Sequence, residues 1–263
     1  MPEIETVLAR LAAIGDLHVK GTLTANLDSV LRSLPDKVDA LVIAGDITDG
    51  GRLIEVEAAA EILRQVEVPI VAVLGNHDRR SLRPAAFRRV LQQAGVQLLD
   101  GDSHVIINQQ GVRIGFAGTG GAGGGFWPLE GPDALHYRAT QALSLRARKE
   151  ALRLDAALAN LTADLRIVVT HFAPTTTTLG NEPILKYWML GNSELGRVID
   201  RYPVDLVLHG HAHFGNPLGS TVGGITVRNV ASAVNGGPVI HEFQIGDETV
   251  VTSAFHAARA DPQ

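Results

Sequence analysis

The sequence predicts an α/β domain with a central β structure and helices outside it. Two patterns carry this reading. Short continuous apolar runs recur, ALVIAG at 40–45, PIVAVL at 69–74, LRIVVT at 165–170 and DLVLHG at 205–210. Runs of this kind suit strands buried on both faces. Between them lie longer stretches with helical periodicity. No repeat and no Pro/Ser-rich linker breaks the 263 residues, so one domain over 1–263 is the simplest organisation.

The elements follow in order. LARLAAIG at 8–15 reads as the first strand. Residues 23–34 place Leu23, Leu27, Leu31 and Leu34 on one helical face. The strand at 40–45 precedes a helix at 54–66, and the strand at 69–74 precedes a helix at 84–94. Two short strands follow near 103–108 and 112–117. Residues 118–134 are rich in Gly and Pro and read as loop. A long helix spans about 140–161. Then come the strand at 165–170, a Thr/Gly/Pro-rich loop, a helix near 193–201 and the strand at 205–210. From about 225 the tail reads as three antiparallel strands.

Composition narrows the chemistry. Hydrophobic residues make up 45% and charged residues 19%, with a net charge of −5 and no cysteine. Disulfides, thiolate-bound zinc and a thiol nucleophile are excluded. The absence of a long basic run argues against a strong nonspecific grip on duplex DNA. The N-terminal MPEIETVLARLAAIGD lacks the basic start and long apolar core of a signal peptide. No run reaches the roughly 18 apolar residues of a membrane helix. The expected setting is soluble and cytoplasmic.

The polar residues cluster where apolar runs end. GDLH (15–18), GDITD (45–49), GNHD (75–78), THFAP (170–174) and GHAH (210–213) each follow a strand. Ligands of α/β sheets bind at the carboxyl ends of strands. If the strands are parallel neighbours, the five clusters converge. Asp16 and His18 are two residues apart and point the same way in extended chain. With Asp46, Asn76, His171, His211 and His213 they offer more donors than one ion uses. A carboxylate between two ions, one oxygen on each, holds the ~3.5–4 Å separation of two-metal sites. Mixed imidazole and carboxylate donors suit Mn, Fe or Zn better than Ca or Mg.

The series DxH, GDxxD, GNHD, a lone His and GHxH resembles the calcineurin-like metallophosphoesterases, over residues 16–213 and in the family's order. The resemblance implies a four-layer α/β/β/α sandwich of two mixed sheets flanked by helices. It implies one metal on Asp16, His18, Asp46 and His213, and a second on Asp46, Asn76, His171 and His211. Asp46 would bridge. His77 would face the substrate, stabilising the phosphoryl group or protonating the leaving oxygen, with Asp49 orienting it. Two divalent transition ions would lower the pKa of bound water toward ~7 and supply a hydroxide nucleophile.

The implied activity is hydrolysis of a phosphoester, a diester on a small soluble substrate being the leading reading. Protein Ser/Thr phosphatases of the family carry an Arg after GDxxD and a GNHE, whereas this chain has GDITDGG and GNHD. The shorter form resembles the bacterial branch of phosphodiesterases and lipid-precursor pyrophosphatases. Phosphomonoesterase, DNA-repair nuclease and non-catalytic scaffold are the alternatives. Acidic balance argues against the nuclease, and the full ligand set against the scaffold.

Other features admit two readings each. The glycine loop GTGGAGGGFWP (118–128) is either a mobile substrate lip carrying Phe126 and Trp127 or a surface loop with its aromatics buried. Arg79 and Arg80 in RRSLRPAAFRR either reach a substrate phosphate or belong to a solvated helix face, which is the preferred reading. TTTT (175–178), Lys186, Tyr187 and Trp188 lie near the motifs. His209 falls outside GHxH and is read as structural, as are His104, His136 and His241.

Overall fold

The computed structural model describes residues 7–21, 25–32, 34, 38–130, 138–245 and 250–256. Two six-stranded sheets form its centre. The first has the order β14-β13-β1-β2-β3-β4, with β1 Val7–Ile14, β2 Ala40–Ala44, β3 Ile70–Val73, β4 Val96–Leu99, β13 Val239–Ile245 and β14 Val250–His256. The second has the order β11-β12-β10-β9-β6-β5. Its strands are β5 Asp102–Ile107, β6 Arg113–Thr119, β9 Leu165–Thr170, β10 Leu206–His209, β11 Leu218–Ser220 and β12 Thr226–Asn229. A two-stranded hairpin, β7 Gly125–Phe126 with β8 Leu129–Glu130, stands apart.

Strand alternation builds three packed interfaces. Leu11, Ala13, Val42, Ala44 and Val71 face Ile114, Phe116, Ile167, Val169 and Leu208 between the sheets. Ala12, Ile14, Leu41 and Ile43 point the other way. There they meet Leu31 of α1 (Ala25–Arg32), Val56 and Leu63 of α2 (Leu53–Leu63), and Phe87 and Leu91 of α3 (Pro84–Gln93). Ala117, Val168 and Val207 back the second sheet against α4 (Arg138–Ala159) and α6 (Ser193–Ile199). Between these two helices lies the one-turn α5 (Tyr187–Leu190), and α7 (Ser232–Asn235) follows β12. The layers are therefore helices, sheet, sheet, helices, as the motif resemblance implied.

The structure corrects several expectations. The five motif-bearing strands do not share one sheet. β1, β2 and β3 run parallel in the first, and β9 and β10 run parallel in the second. Their carboxyl ends meet across the sandwich. The tail is not three antiparallel strands, because β12 pairs parallel with β10, while β13 pairs antiparallel with β1 and β14 antiparallel with β13. Strands β4 and β11 were not read from the sequence. The helix expected at 23–34 is described over Ala25–Arg32, and Leu23 lies outside the described residues. Residues 118–134 are not all loop. They hold the end of β6 and the β7-β8 hairpin, with 131–134 outside the described residues. No described helix is long and apolar enough to cross a membrane.

One buried carboxylate ties the strand-end loops of the first sheet. Asp78, the last residue of GNHD, accepts from Ile47 N (3.1 Å), Thr48 N (2.8 Å), Thr48 Oγ1 (2.8 Å) and Gly75 N (3.0 Å). The loops after β2 and β3 are thereby joined side by side. They approach closely: a Cβ on Gly75 would lie 2.1 Å from Asp46 Oδ1. Asp78→Ala leaves four buried donors unpaired, and chemical denaturation should report a loss of about 3–5 kcal/mol. A loss under about 1 kcal/mol would contradict the tie.

Candidate metal centre

Four non-glycine residues take left-handed backbone angles among the described residues: Asp16 (φ 58°), His18 (45°), Asp46 (50°) and His211 (70°). All four are sequence-predicted ligands. Such conformations cost roughly 1–3 kcal/mol each and persist only when the surroundings hold them. Here the two sheets hold them. Asp16 N donates to Gly45 O and His18 N to Asp46 O, both at 3.0 Å. Gly15 N donates to Val230 O at 2.8 Å, and Ser232 Oγ donates to Asp16 O at 2.6 Å.

Each carboxylate has one oxygen fixed by main chain and one facing histidines. Asp16 Oδ2 accepts from His211 N (2.9 Å), and Oδ1 lies 2.9 Å from His213 Nε2 and 3.9 Å from His18 Nε2. Asp46 Oδ1 accepts from His77 N at 2.8 Å. Its Oδ2 lies 3.3 Å from His171 Nε2, 3.9 Å from His77 Nε2 and 4.0 Å from His18 Nε2. The sequence reading put one Asp46 oxygen on each ion. In the fold Oδ1 is taken by the backbone, and Oδ2 alone faces both histidine groups.

Hydrogen bonds at the far ring nitrogens orient the imidazoles. His171 Nδ1 donates to Ala44 O at 2.9 Å, which turns Nε2 to Asn76 Oδ1 at 2.9 Å. His211 Nε2 donates to Met189 O at 3.1 Å, leaving Nδ1 its lone pair. His18 Nδ1 lies 3.5 Å from Asp49 Oδ1. The sequence reading has Asp49 orienting His77, and in the structure the contact is made by the backbone carbonyl of Asp49, which accepts from His77 Nδ1.

The donor set fits cations. Asp16, His18 and His213 form one group, and Asp46, His171 and His211 another. Within each, the ligand atoms lie within 4.8 Å of one another. His18 Nε2 and His213 Nε2 face each other at 3.5 Å. Donors about 2.1 Å from a shared cation stand roughly 3–3.5 Å apart. A third group, His18, Asp49 and His77, overlaps the first.

Electrostatics matches this arrangement. Burial would raise the Asp46 carboxyl, but the His171 charge and hydrogen bond hold it well below the usual range. Burial would likewise raise Asp16, and the His213 hydrogen bond with the charges of His171 and His213 outweighs it. Burial disfavours a charged His171, yet the adjacent Asp46 carboxylate raises that ring to about 9. His213 is raised by its bond to Asp16. Burial lowers His18, and pushes His211 down to about 3.

The remaining sequence candidates separate. His209 is buried, with Nδ1 donating to Gly210 O (2.7 Å) and Nε2 accepting from Thr178 Oγ1 (2.8 Å). Burial pushes it down to about 4, so it is a neutral structural residue. Arg79 is half-buried and turned to acids outside the two histidine groups. It pairs with Asp100 at 3.0 Å, where Arg88 (3.3 Å) and Arg153 (3.4 Å) also converge. Phe126 is 7% exposed and Trp127 76%, so the two readings of the glycine loop divide between them, and Gly120–Gly125 are buried. Both aromatics, with Thr175, Thr176 and Arg197, line a cavity of 540 Å³. His241 is buried and His104 partly buried on β5, while His136 lies outside the described residues. Asp78 was missed; its place in GNHD was the available signal.

Comparison with known proteins agrees with this geometry. The calcineurin-like phosphoesterase family model matches residues 9–215. Over 71 residues the chain is 32% identical to glycerophosphodiester phosphodiesterase GpdQ of Enterobacter lignolyticus (strain SCF1). That stretch is 27% of this chain and 26% of that enzyme, so the likeness spans about a quarter of the relative's length. The fold is shared with phosphopantetheinyl hydrolase of Mycobacterium tuberculosis, at TM-score 0.61 and 19% identity over 85% of this chain and 89% of that one. It is shared with GAP50, the anchor in the inner membrane complex of Plasmodium, at TM-score 0.54 and 14% identity over 94% and 88%. The chain belongs to the calcineurin-like phosphoesterase family.

Proposed function

We propose that the protein is a phosphodiesterase with a two-metal centre, acting on a small soluble diester as a single domain. One ion is held by Asp16, His18, Asp46 and His213, the other by Asp46, Asn76, His171 and His211. The observation that carries this reading is Asp46 Oδ2, which faces His18 on one side (4.0 Å) and His171 on the other (3.3 Å). The donors suit Mn, Fe or Zn. The partial likeness to a glycerophosphodiester phosphodiesterase supports a diester over a monoester.

When bound, such ions lower the pKa of water toward ~7 and neutralise charge on a phosphoryl group. The chain's own residues supply the rest. His77 is held through Nδ1 by the Asp49 carbonyl, which leaves Nε2 facing the Asp46 side of the site. From there Nε2 carries the proton that the leaving oxygen needs. The His18 and His77 ring centroids lie 4.7 Å apart.

Hydrolysis of bis-p-nitrophenyl phosphate and p-nitrophenyl phosphate by the Mn-loaded protein tests the class. The diester is expected to be preferred; monoester preference would overturn it. His77→Ala should keep its metal by elemental analysis and lose about 10²–10⁴-fold in diester turnover. Full activity would remove the acid role. Asp46→Ala should retain neither ion at full occupancy, and a variant still holding two would remove the bridge. The His171 proton must leave before Nε2 binds a cation, so protons compete with metal below its pKa of about 9. Calorimetric Mn affinity should therefore rise with pH toward about 9. A flat profile would contradict His171 as a ligand.

A further inference from the structure

A groove of 410 Å³ lies against the segment that follows His77. Gly50, Gly51, Arg52, Arg80, Leu82 and Arg83 line it. Gly51 adopts φ 72°, and a Cβ there would lie 2.7 Å from Ser81 N and 2.8 Å from His77 O. The floor is therefore backbone, and the 77–83 segment lies directly on the loop after β2.

The groove is basic and uncompensated. Arg52 is occupied by Glu55, whose buried carboxylate also accepts from Gly50 N and Arg52 N. Neither Arg80 nor Arg83 forms an ion pair among the described residues. Arg80 Nη1 does lie 3.1 Å from His77 Nδ1. That nitrogen gives its proton to the Asp49 carbonyl, so it offers Arg80 no lone pair. Asp49, the nearest acid in the motif, turns its carboxylate to His18 and Lys20 instead. Two guanidinium groups thus stand in the groove without a carboxylate partner among the described residues. The fork geometry of Arg favours phosphate and carboxylate.

We propose that this groove binds a second anionic group, a phosphate or carboxylate, carried on the leaving alcohol of the substrate. The assignment rests on the proposed role of His77 at the leaving oxygen, because Arg80 on the groove wall reaches that ring, its Nη1 3.1 Å from His77 Nδ1. The exposed Leu82 on its wall covers the carbon skeleton between the two charged groups. The preferred substrate class is then a phosphodiester whose leaving group bears its own anion.

Calorimetry on the metal-loaded, full-length His77→Ala chain tests this without turnover. The ligands are bis(glyceryl) phosphate and the same diester carrying a terminal phosphate. The phosphorylated form should bind about tenfold tighter, since hydrogen bonds to a charged group are worth about that much. Adding Arg80→Ala and Arg83→Ala should close the gap, while Arg80→Lys with Arg83→Lys should keep part of it. Arg89, exposed on α3 and outside the groove, serves as the charge control. Equal affinities, a gap that survives loss of Arg80 and Arg83, or one that closes equally on Arg89→Ala would overturn the proposal. Wild-type turnover of bis-p-nitrophenyl phosphate is read separately. Its absence would count against the hydrolytic role of His77, whereas the affinity gap alone decides the groove.

Discussion

The site depends on two carboxylates, each half-immobilised by a backbone N–H. Asp16 Oδ2 is fixed by His211 N and Asp46 Oδ1 by His77 N. Each bond crosses between loops that follow different strands. The Asp16 bond joins the first sheet to the second. The remaining oxygens, Asp16 Oδ1 and Asp46 Oδ2, are left no freedom except to face the imidazoles. Their residues sit in left-handed backbone angles that neither would adopt in an unconstrained loop. The strain is sustained by the packing of both sheets, and the site exists only because they meet there.

This explains why small residues crowd the strand ends. Gly75 leaves room for Asp46 Oδ1, and Gly210 for Asp16 Oδ2, which a Cβ would approach to 2.4 Å. Asp78 then makes the loops after β2 and β3 one rigid body. Asp49 extends that body to His77 through its carbonyl. The candidate ligand Asp46 and the His77 ring are consequently parts of one hydrogen-bonded unit, and a shift in one loop moves both.

The ligands were legible in the sequence because each polar cluster follows directly on an apolar run. Asp16, Asp46, Asn76, His171, His211 and His213 all stand within four positions of a strand end. The layer order could be read only through the family resemblance. Which strands share a sheet depends on nonlocal pairing, and β12 joins β10 in parallel across a chain reversal that alternation does not reveal. β4 was hidden because VQLL is short and abuts a helix. The motif brings Asp49 beside His77, but sequence does not distinguish its carboxylate from its carbonyl. Asp78 reads as a turn acid until its four donors are seen. Phe126 and Trp127 are adjacent, yet one is buried at the end of β7 and the other exposed in the turn that follows it.

The most direct test of the central claim is the anomalous difference map of a crystal of the Mn-loaded protein. The account predicts two manganese peaks. One lies within bonding distance of Asp16, His18 and His213, the other of Asn76, His171 and His211, and both within reach of Asp46 Oδ2. A single peak, or a second peak bound without Asp46, would contradict it.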